Sequence, residues 1–119
     1  MKILCIDDDD DIVGLLDNVL SASGHQVTVC LNGLDGISII QKEDFNLILL
    51  DLRMPGISGE DVIDTLDKEG LIAFNNIVVL SADNIDDKKV LNFKQKGVKE
   101  ALQKPIRLEK LLEVVKKFE

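Results

Sequence analysis

The chain has 119 residues, enough for one domain with its own hydrophobic core, and it carries a net charge of −8. This acidic balance argues against direct binding to nucleic acid, and no apolar run approaches the length of a membrane-spanning helix. No signal peptide is evident either, because the apolar run 3–6 leads directly into acidic residues. Since both cysteines lie in apolar runs, as small core residues do, we expect a cytoplasmic protein with no membrane association.

Short strand-like runs alternate along the chain with segments whose apolar residues recur at helical spacing. The strand-like runs are ILCI (3–6), QVTVC (26–30), NLILL (46–50), NIVVLS (76–81) and KEALQ (99–103). The helical patterns that follow them span residues 12–20, 34–40, 62–66, 90–93 and 108–118. Asn32 and Ser58 are good N-caps for the second and third helices, and Gly24 and Gly97 end the first and fourth.

Five strand–helix pairs in succession predict a doubly wound α/β fold with a parallel sheet. Runs 1, 3 and 4 are almost wholly apolar, as strands buried on both faces should be, whereas runs 2 and 5 contain polar residues that suit edge strands. This pattern is compatible with the flavodoxin-like strand order 2-1-3-4-5. We interpret residues 1–119 as a single domain of this kind.

Polar residues stand where four of these strands end. In this order the connections reverse direction between strands 1 and 3, and ligand sites form at the carboxyl ends of the strands beside such a reversal. Asp7 and Asp8 follow strand 1, Asp51 follows strand 3, Ser81 ends strand 4 and Lys104 follows strand 5. Carboxylate oxygens suit a hard cation such as Mg²⁺, which would offset the repulsion among the acids.

Asp7 and Asp8 begin a run of five consecutive aspartates. Negative charge is favourable at a helix N-terminus, so we interpret Asp9, Asp10 and Asp11 mainly as cap and first turn of the first helix. Solvated surface charge without a specific role is the alternative for the run as a whole.

Four motifs carry a family resemblance: ILCIDDDDDI, LILLDLRMPGISG, VVLSADN and LQKPI. They occur in the right order at the ends of four strands, and the likeness extends from the first strand to the last helix. On these motifs the chain resembles a response-regulator receiver domain (CheY-like) of bacterial two-component signalling. The resemblance implies a (βα)5 fold and transfer of a phosphoryl group from a histidine kinase or a histidine phosphotransfer protein.

The resemblance also implies a metal site. Asp51 would accept the phosphoryl group and would bind Mg²⁺, with Mn²⁺ as an alternative ion. Asp8 and the backbone carbonyl of Arg53 would be the other direct ligands from the protein, and Asp7 would act through water.

Two further residues would contact the phosphoryl group. Lys104 would pair with its oxygens, from a strand end that the resemblance expects to continue through a cis bond to Pro105. Ser81 would donate a hydrogen bond to it. The aromatic residue that the family usually carries three positions before the lysine is Ala101 here, so the aromatic half of the usual switch is missing.

Arg53 lies two positions after Asp51, and Asp83 lies two positions after Ser81. Because both loops border the same pocket, we predict that the Arg53 and Asp83 side chains pair across its mouth. A side-chain pair there would obstruct the water that hydrolyses the phosphoryl group, so we predict a role in setting its lifetime. The alternative is that both side chains lie in solvent without effect.

Charge is unevenly distributed: residues 1–84 contain 16 acids and 4 bases, whereas residues 85–119 contain 6 acids and 10 bases. The region of helix 4, strand 5 and helix 5 is therefore basic, and an output partner could dock there, although its lysines equally suit the solvent side of ordinary helices. A stand-alone regulator and a receiver from a longer protein fit the sequence equally well. We expect no enzymatic activity beyond self-directed phosphoryl transfer and slow autodephosphorylation.

Other classes of protein fit less well. A haloacid-dehalogenase-like phosphatase also uses an aspartyl phosphate and Mg²⁺, and Asp7 and Asp9 imitate its nucleophile pair, but the threonine expected two residues after Asp9 is Asp11. An FMN-binding flavodoxin is disfavoured because five acids would repel the phosphate. A receiver fold used as an unphosphorylated scaffold is the remaining alternative.

Overall fold

The computed structural model describes residues 1–119, and its strands and helices alternate along the chain. The elements are β1 (Lys2–Ile6), α1 (Asp10–Ala22), β2 (Gln26–Cys30), α2 (Gly33–Lys42), β3 (Leu47–Asp51), α3 (Gly59–Lys68), β4 (Ile77–Ser81), α4 (Asp87–Lys96), β5 (Glu100–Gln103) and α5 (Leu108–Lys116). All strand pairs are parallel, and the sheet has the order β2-β1-β3-β4-β5. The predicted fold class and strand order are therefore confirmed.

Each predicted strand agrees with an observed one to within one residue at either end. The difference that matters is at β3, which extends to Asp51 instead of ending before it. The backbone of Asp51 is thus fixed by sheet pairing, opposite Leu80 of β4. A short 3-10 helix, Ile72–Phe74, lies between α3 and β4 and was not predicted from the sequence.

The sheet separates two hydrophobic cores. One cluster of 18 buried residues includes side chains of α2, α3 and α4, and a second cluster of 12 includes side chains of α1 and α5. All five residues of β3 and all five of β4 are buried, as expected of central strands with both faces covered. Cys5 lies in one core and Cys30 in the other, and burial raises the pKa of these thiols to about 12 and about 11.

The predicted helix ends are also confirmed. The Asn32 side chain accepts a hydrogen bond from the backbone of Asp35, which caps α2. Ser58 and Asp61 form a reciprocal capping box at the start of α3. Gly97 ends α4 with a φ of 107°, in the left-handed region that glycine adopts without strain.

The apolar helical patterns were less reliable as guides to burial. Leu15, Leu34 and Leu91 fit the patterns but are 45%, 66% and 57% exposed. A helix packed on a sheet buries only a narrow stripe, and the flanking apolar residues remain in solvent. The helix α4 is the extreme case, because Phe93 is its only fully buried side chain. None of the helices is long and apolar enough to cross a membrane.

Candidate functional site

Three carboxylates meet at the carboxyl ends of β1 and β3. Ligand oxygens of Asp7, Asp8 and Asp51 all lie within 4.8 Å of one another. Asp7 and Asp51 are buried, whereas Asp8 is exposed to solvent. The structure therefore brings together the three acids that were predicted from the sequence, at the predicted reversal in the sheet.

Lys104 completes this cluster from the end of β5. Its ammonium donates to Asp7 Oδ2 at 2.8 Å and lies 3.3 Å from Asp51 Oδ1. The side chain of Lys104 is only 15% exposed, so the ion pairs with the carboxylates are largely shielded from solvent. The Lys104–Pro105 peptide bond that follows β5 is cis, as the family resemblance implied.

The pKa values of Asp51 and Lys104 reflect this crowding. Burial and the neighbouring charge of Asp7 raise the pKa of Asp51 to about 6, although Lys104 and the Arg53 backbone act in the opposite direction. Burial lowers the pKa of Lys104, but its hydrogen bond to Asp7 and the charges of both acids outweigh that effect and raise the pKa. At neutral pH the site therefore holds a buried carboxylate whose charge is only partly compensated.

Asp51→Asn should stabilise the metal-free protein at neutral pH by about 2–3 kcal/mol, because it removes this buried charge. In the unfolded chain Asp51 titrates near its ordinary pKa, 3.8, and in the folded protein near 6. Between these values the folded state binds a proton that the unfolded state has lost, so stability falls as pH rises through this window. The gain in Asp51→Asn should thus be complete above pH 6 and absent below 3.8.

Urea unfolding of wild type and Asp51→Asn at several pH values, in EDTA, measures this difference. Asp67→Asn is the matched control, because Asp67 is an exposed residue of α3. If the difference in unfolding free energy between Asp51→Asn and wild type is the same at pH 4 and pH 7, the charge of Asp51 is not its cause.

The aspartates after Asp8 belong to the helix. The Asp9 side chain accepts hydrogen bonds from the backbone N–H groups of Asp11 and Ile12, which makes it the N-cap of α1. Asp10 and Asp11 lie in the first turn, where negative charge is favourable. This confirms the prediction that Asp9 caps the helix and that Asp10 and Asp11 lie in its first turn.

The loops after β3 and β4 are joined by an ion pair. The Arg53 guanidinium pairs with the Asp83 carboxylate, as predicted from their positions in the sequence. Both side chains are mostly exposed, at 78% and 62%. They line a cleft of about 270 Å³ together with Ser58, Glu60 and Ser81, among others.

Ser81 is placed at the site edge but has a partner that was not anticipated. It is the last residue of β4 and is only 5% exposed. Its hydroxyl donates to the backbone carbonyl of Asp83 at 2.7 Å. No sequence pattern indicated that contact, because it depends on the path of the loop after β4.

Ala101 is half-buried on β5 and packs against the larger core. A void of about 10 Å³ lies beside it, lined mainly by Val79, Val90, Phe93 and Val98. The space next to Ala101 is thus closed by aliphatic residues and by Phe93 of α4, with no aromatic side chain on β5 itself.

Gly59 is a supporting residue that the sequence analysis missed. It begins α3, and a Cβ there would overlap the backbone carbonyl of Asp51 and would lie 2.7 Å from the Leu52 Cα. The start of α3 therefore packs directly on the backbone of the acidic cluster. The only hint in the sequence was the glycine itself, because most residues are tolerated at the first position of a helix.

The fold, the acidic cluster and the lysine can be compared with known proteins. Residues 3–116 match the family model described as the response regulator receiver domain. The chain belongs to this family. It is therefore a phosphoacceptor receiver of two-component signalling, and no finding favours a phosphatase or a scaffold instead. Receiver domains bind Mg²⁺ at an acidic pocket and interact with histidine kinases or phosphotransfer proteins and with output domains.

Its relatives include short and long proteins. This receiver is 31% identical over 117 residues to sporulation initiation phosphotransferase F of Bacillus subtilis, covering 98% of this chain and 92% of that protein. It is 29% identical over 114 residues to protein PilH of Pseudomonas aeruginosa, covering 96% and 93%. The sensory/regulatory protein RpfC of Xanthomonas campestris is 30% identical over 118 residues, but the match spans 97% of this chain and only 16% of RpfC.

Among solved structures, the response regulator TrrA from Thermotoga maritima, in complex with Mg²⁺ and BeF, has a TM-score of 0.81 and 27% identity to this receiver. That match covers 99% of this chain and 98% of TrrA.

Proposed function

We propose that Asp51 is the phosphoacceptor of this receiver and that a histidine kinase or a histidine phosphotransfer protein is the donor. The observation that carries this proposal is the convergence of Lys104 on Asp7 and Asp51, with Asp8 beside them, at the switch point of the sheet. A carboxylate that attacks phosphorus needs its own charge and that of the phosphoryl oxygens offset. An ammonium and a divalent cation at this point would do so.

The donor set fits Mg²⁺, because it consists of carboxylate oxygens close enough to share one small ion. Asp8 and Asp51 would bind the ion directly with the backbone carbonyl of Arg53, and Asp7 would act through water. When bound, Mg²⁺ supplies positive charge that stabilises the phosphoryl oxygens in the transition state. The Mg²⁺ and BeF in the TrrA structure support this assignment.

In the transfer, an Asp51 oxygen forms a bond to phosphorus while the bond from phosphorus to the donor's imidazole nitrogen breaks, and the imidazole keeps the bonding electrons. Lys104 neutralises oxygens of the phosphoryl group as a point charge, at a place where its ammonium is already held. Ser81 donates to another of these oxygens. In autodephosphorylation, water attacks the phosphorus and the Asp51 carboxylate leaves.

We further propose that this receiver domain acts in the cytoplasm and turns over no external substrate. We place the output contact on α4, β5 and α5, where residues 85–119 carry 10 bases and 6 acids. An acidic protein surface is the partner that suits this charge, and nucleic acid is not expected to bind the domain directly.

Phosphorylation by acetyl phosphate tests this function. The protein contains no Trp, so the mass of the intact chain is a better readout than intrinsic fluorescence. We expect one added phosphoryl group per chain, and its slow loss after the donor is removed. No mass gain would favour the scaffold, and continuous release of phosphate from an aryl phosphate would favour the phosphatase.

Arg53→Ala should shorten the lifetime of the phosphorylated protein by a few-fold. The Arg53 side chain follows Asp51 by two residues and is held in a cleft that Ser81 also lines. From there its stem would obstruct the water that must approach in line with the phosphorus. Decay of the phosphorylated mass after removal of acetyl phosphate measures this effect. Unchanged decay would show that the exposed pair has no role in the lifetime, and additive effects of Arg53→Ala and Asp83→Ala would assign the role to the Arg53 stem alone.

A further inference from the structure

Ser81 has one hydroxyl proton, and the structure shows where that proton is used. The hydroxyl donates to the Asp83 backbone carbonyl at 2.7 Å, within a side chain that is almost fully buried. A phosphoryl oxygen is only an acceptor of hydrogen bonds. Ser81 can therefore donate to the phosphoryl group only after it has released the carbonyl of Asp83.

Asp83 is itself held in place by a second contact. Its carboxylate pairs with Arg53 from the loop after β3, so one residue joins Ser81 through its backbone and Arg53 through its side chain. Residues 82–84 are exposed, and the Arg53–Asp83 pair is their one ion pair to the loop after β3. Gln103 of β5 also donates to the Ala82 carbonyl at 3.1 Å, which leaves the Arg53–Asp83 pair as the tie at Asp83 itself.

We propose that Asp83 is a positioning residue that holds the Ser81 hydroxyl away from the phosphoryl group, and that Arg53 keeps Asp83 in that role. The inference rests on the proposed function of Asp51 and Ser81. The Arg53–Asp83 pair favours the conformation in which the Ser81 hydroxyl donates to the Asp83 carbonyl. Loss of the pair lets the loop relax, weakens the bond from Ser81 to the carbonyl, and favours donation to the phosphoryl group.

The test is the affinity for beryllofluoride in the presence of Mg²⁺, measured by isothermal titration calorimetry. Arg53→Ala and Asp83→Ala should each bind about three- to fivefold more tightly than wild type, the range that an exposed ion pair contributes. Asp83→Ala keeps the backbone carbonyl and removes only the carboxylate. In a Ser81→Ala background, neither substitution should change the affinity, because the hydroxyl that the pair restrains is absent.

Lys89→Ala is the matched control. Lys89 of α4 pairs with Glu60 of α3 at 2.8 Å, so this ion pair lies beside the same cleft but is not formed with Asp83. Its affinity for beryllofluoride should equal that of wild type.

Four results would overturn the inference. Opposite effects of Arg53→Ala and Asp83→Ala would assign the change to the charge of each side chain near an anion. Equal gains in affinity with Ser81 and with Ser81→Ala would mean that the substitutions act by opening a path for beryllofluoride to the site. If Lys89→Ala binds beryllofluoride as tightly as Arg53→Ala and Asp83→Ala do, the gain in affinity would come from a general loosening of this region. If wild type does not bind beryllofluoride at all, the proposed function fails first, and the inference fails with it.

Discussion

Asp51→Asn will gain no phosphoryl group from acetyl phosphate and Mg²⁺, whereas wild type will gain one. Asparagine keeps the shape of the side chain but offers no carboxylate oxygen to phosphorus. Asp51 is also the one acid of the cluster that ends a central strand, where its backbone is fixed by pairing with β4. No other acid of the site combines that rigidity with a direct contact to Lys104.

The metal dependence of this reaction should appear in two ways. EDTA should abolish the mass gain in wild type. Asp8→Asn should reduce its rate by at least tenfold, because it removes one of the ligands proposed for the ion while the acceptor remains. Asp67→Asn, on the exposed side of α3, should react like wild type. A phosphoryl group that still appears on Asp51→Asn, located by peptide mass spectrometry, would move the acceptor to another residue.

Lys104→Met should lower the free energy of unfolding by about 3 kcal/mol at pH 7 in EDTA, which is the scale for removing one partner of a buried ion pair. The Lys104 ammonium lies between Asp7, which is fully buried, and Asp51. Without it the two carboxylates face each other with no cation. Urea unfolding measures the loss, which should become smaller as pH falls and Asp51 takes up a proton. The pKa of Asp51 is about 6 beside Lys104 and should be higher in Lys104→Met, because Lys104 lowers it.

Lys96→Met is the matched control for this loss. Lys96 pairs with Asp64 at 2.6 Å, but the side chains are 30% and 49% exposed, so solvent screens the pair. Its removal should cost less than about 1 kcal/mol. The double variant Asp51→Asn, Lys104→Met should recover part of the stability. Equal losses in Lys104→Met and Lys96→Met would mean that the buried pair has no special energetic role.

The fold and the positions of the site residues could be predicted because they depend on repeating patterns. Apolar strands, polar strand ends and helix caps are local, and a parallel sheet brings strand ends to one edge whatever the loops do. Asp7, Asp51 and Lys104 are distant in sequence but are brought together by this rule alone. The pairing of Arg53 with Asp83 could be predicted in the same way, because their loops follow neighbouring strand ends.

What could not be predicted depends on the details of packing. The use of the Ser81 proton by the Asp83 carbonyl follows from one loop conformation, for which the sequence carries no period or motif. The contact of Gly59 with the β3 backbone depends on how closely α3 approaches the sheet. Leu15 and Leu34 show that helical spacing identifies an apolar face but does not show how much of that face the sheet covers.

The shallow attachment of α4 sets an energy scale for signalling. Burial of one phenylalanine stabilises a protein by about 1.5–3 kcal/mol, so Phe93 is the main apolar contribution that must be given up when the helix moves away from the sheet. That amount corresponds to a change of roughly ten- to a hundredfold in the ratio of two conformations. One hydrogen bond and one new charge at the site are of the same size, so they would suffice to shift the position of α4 while the pairing of β3 with β4 stays intact.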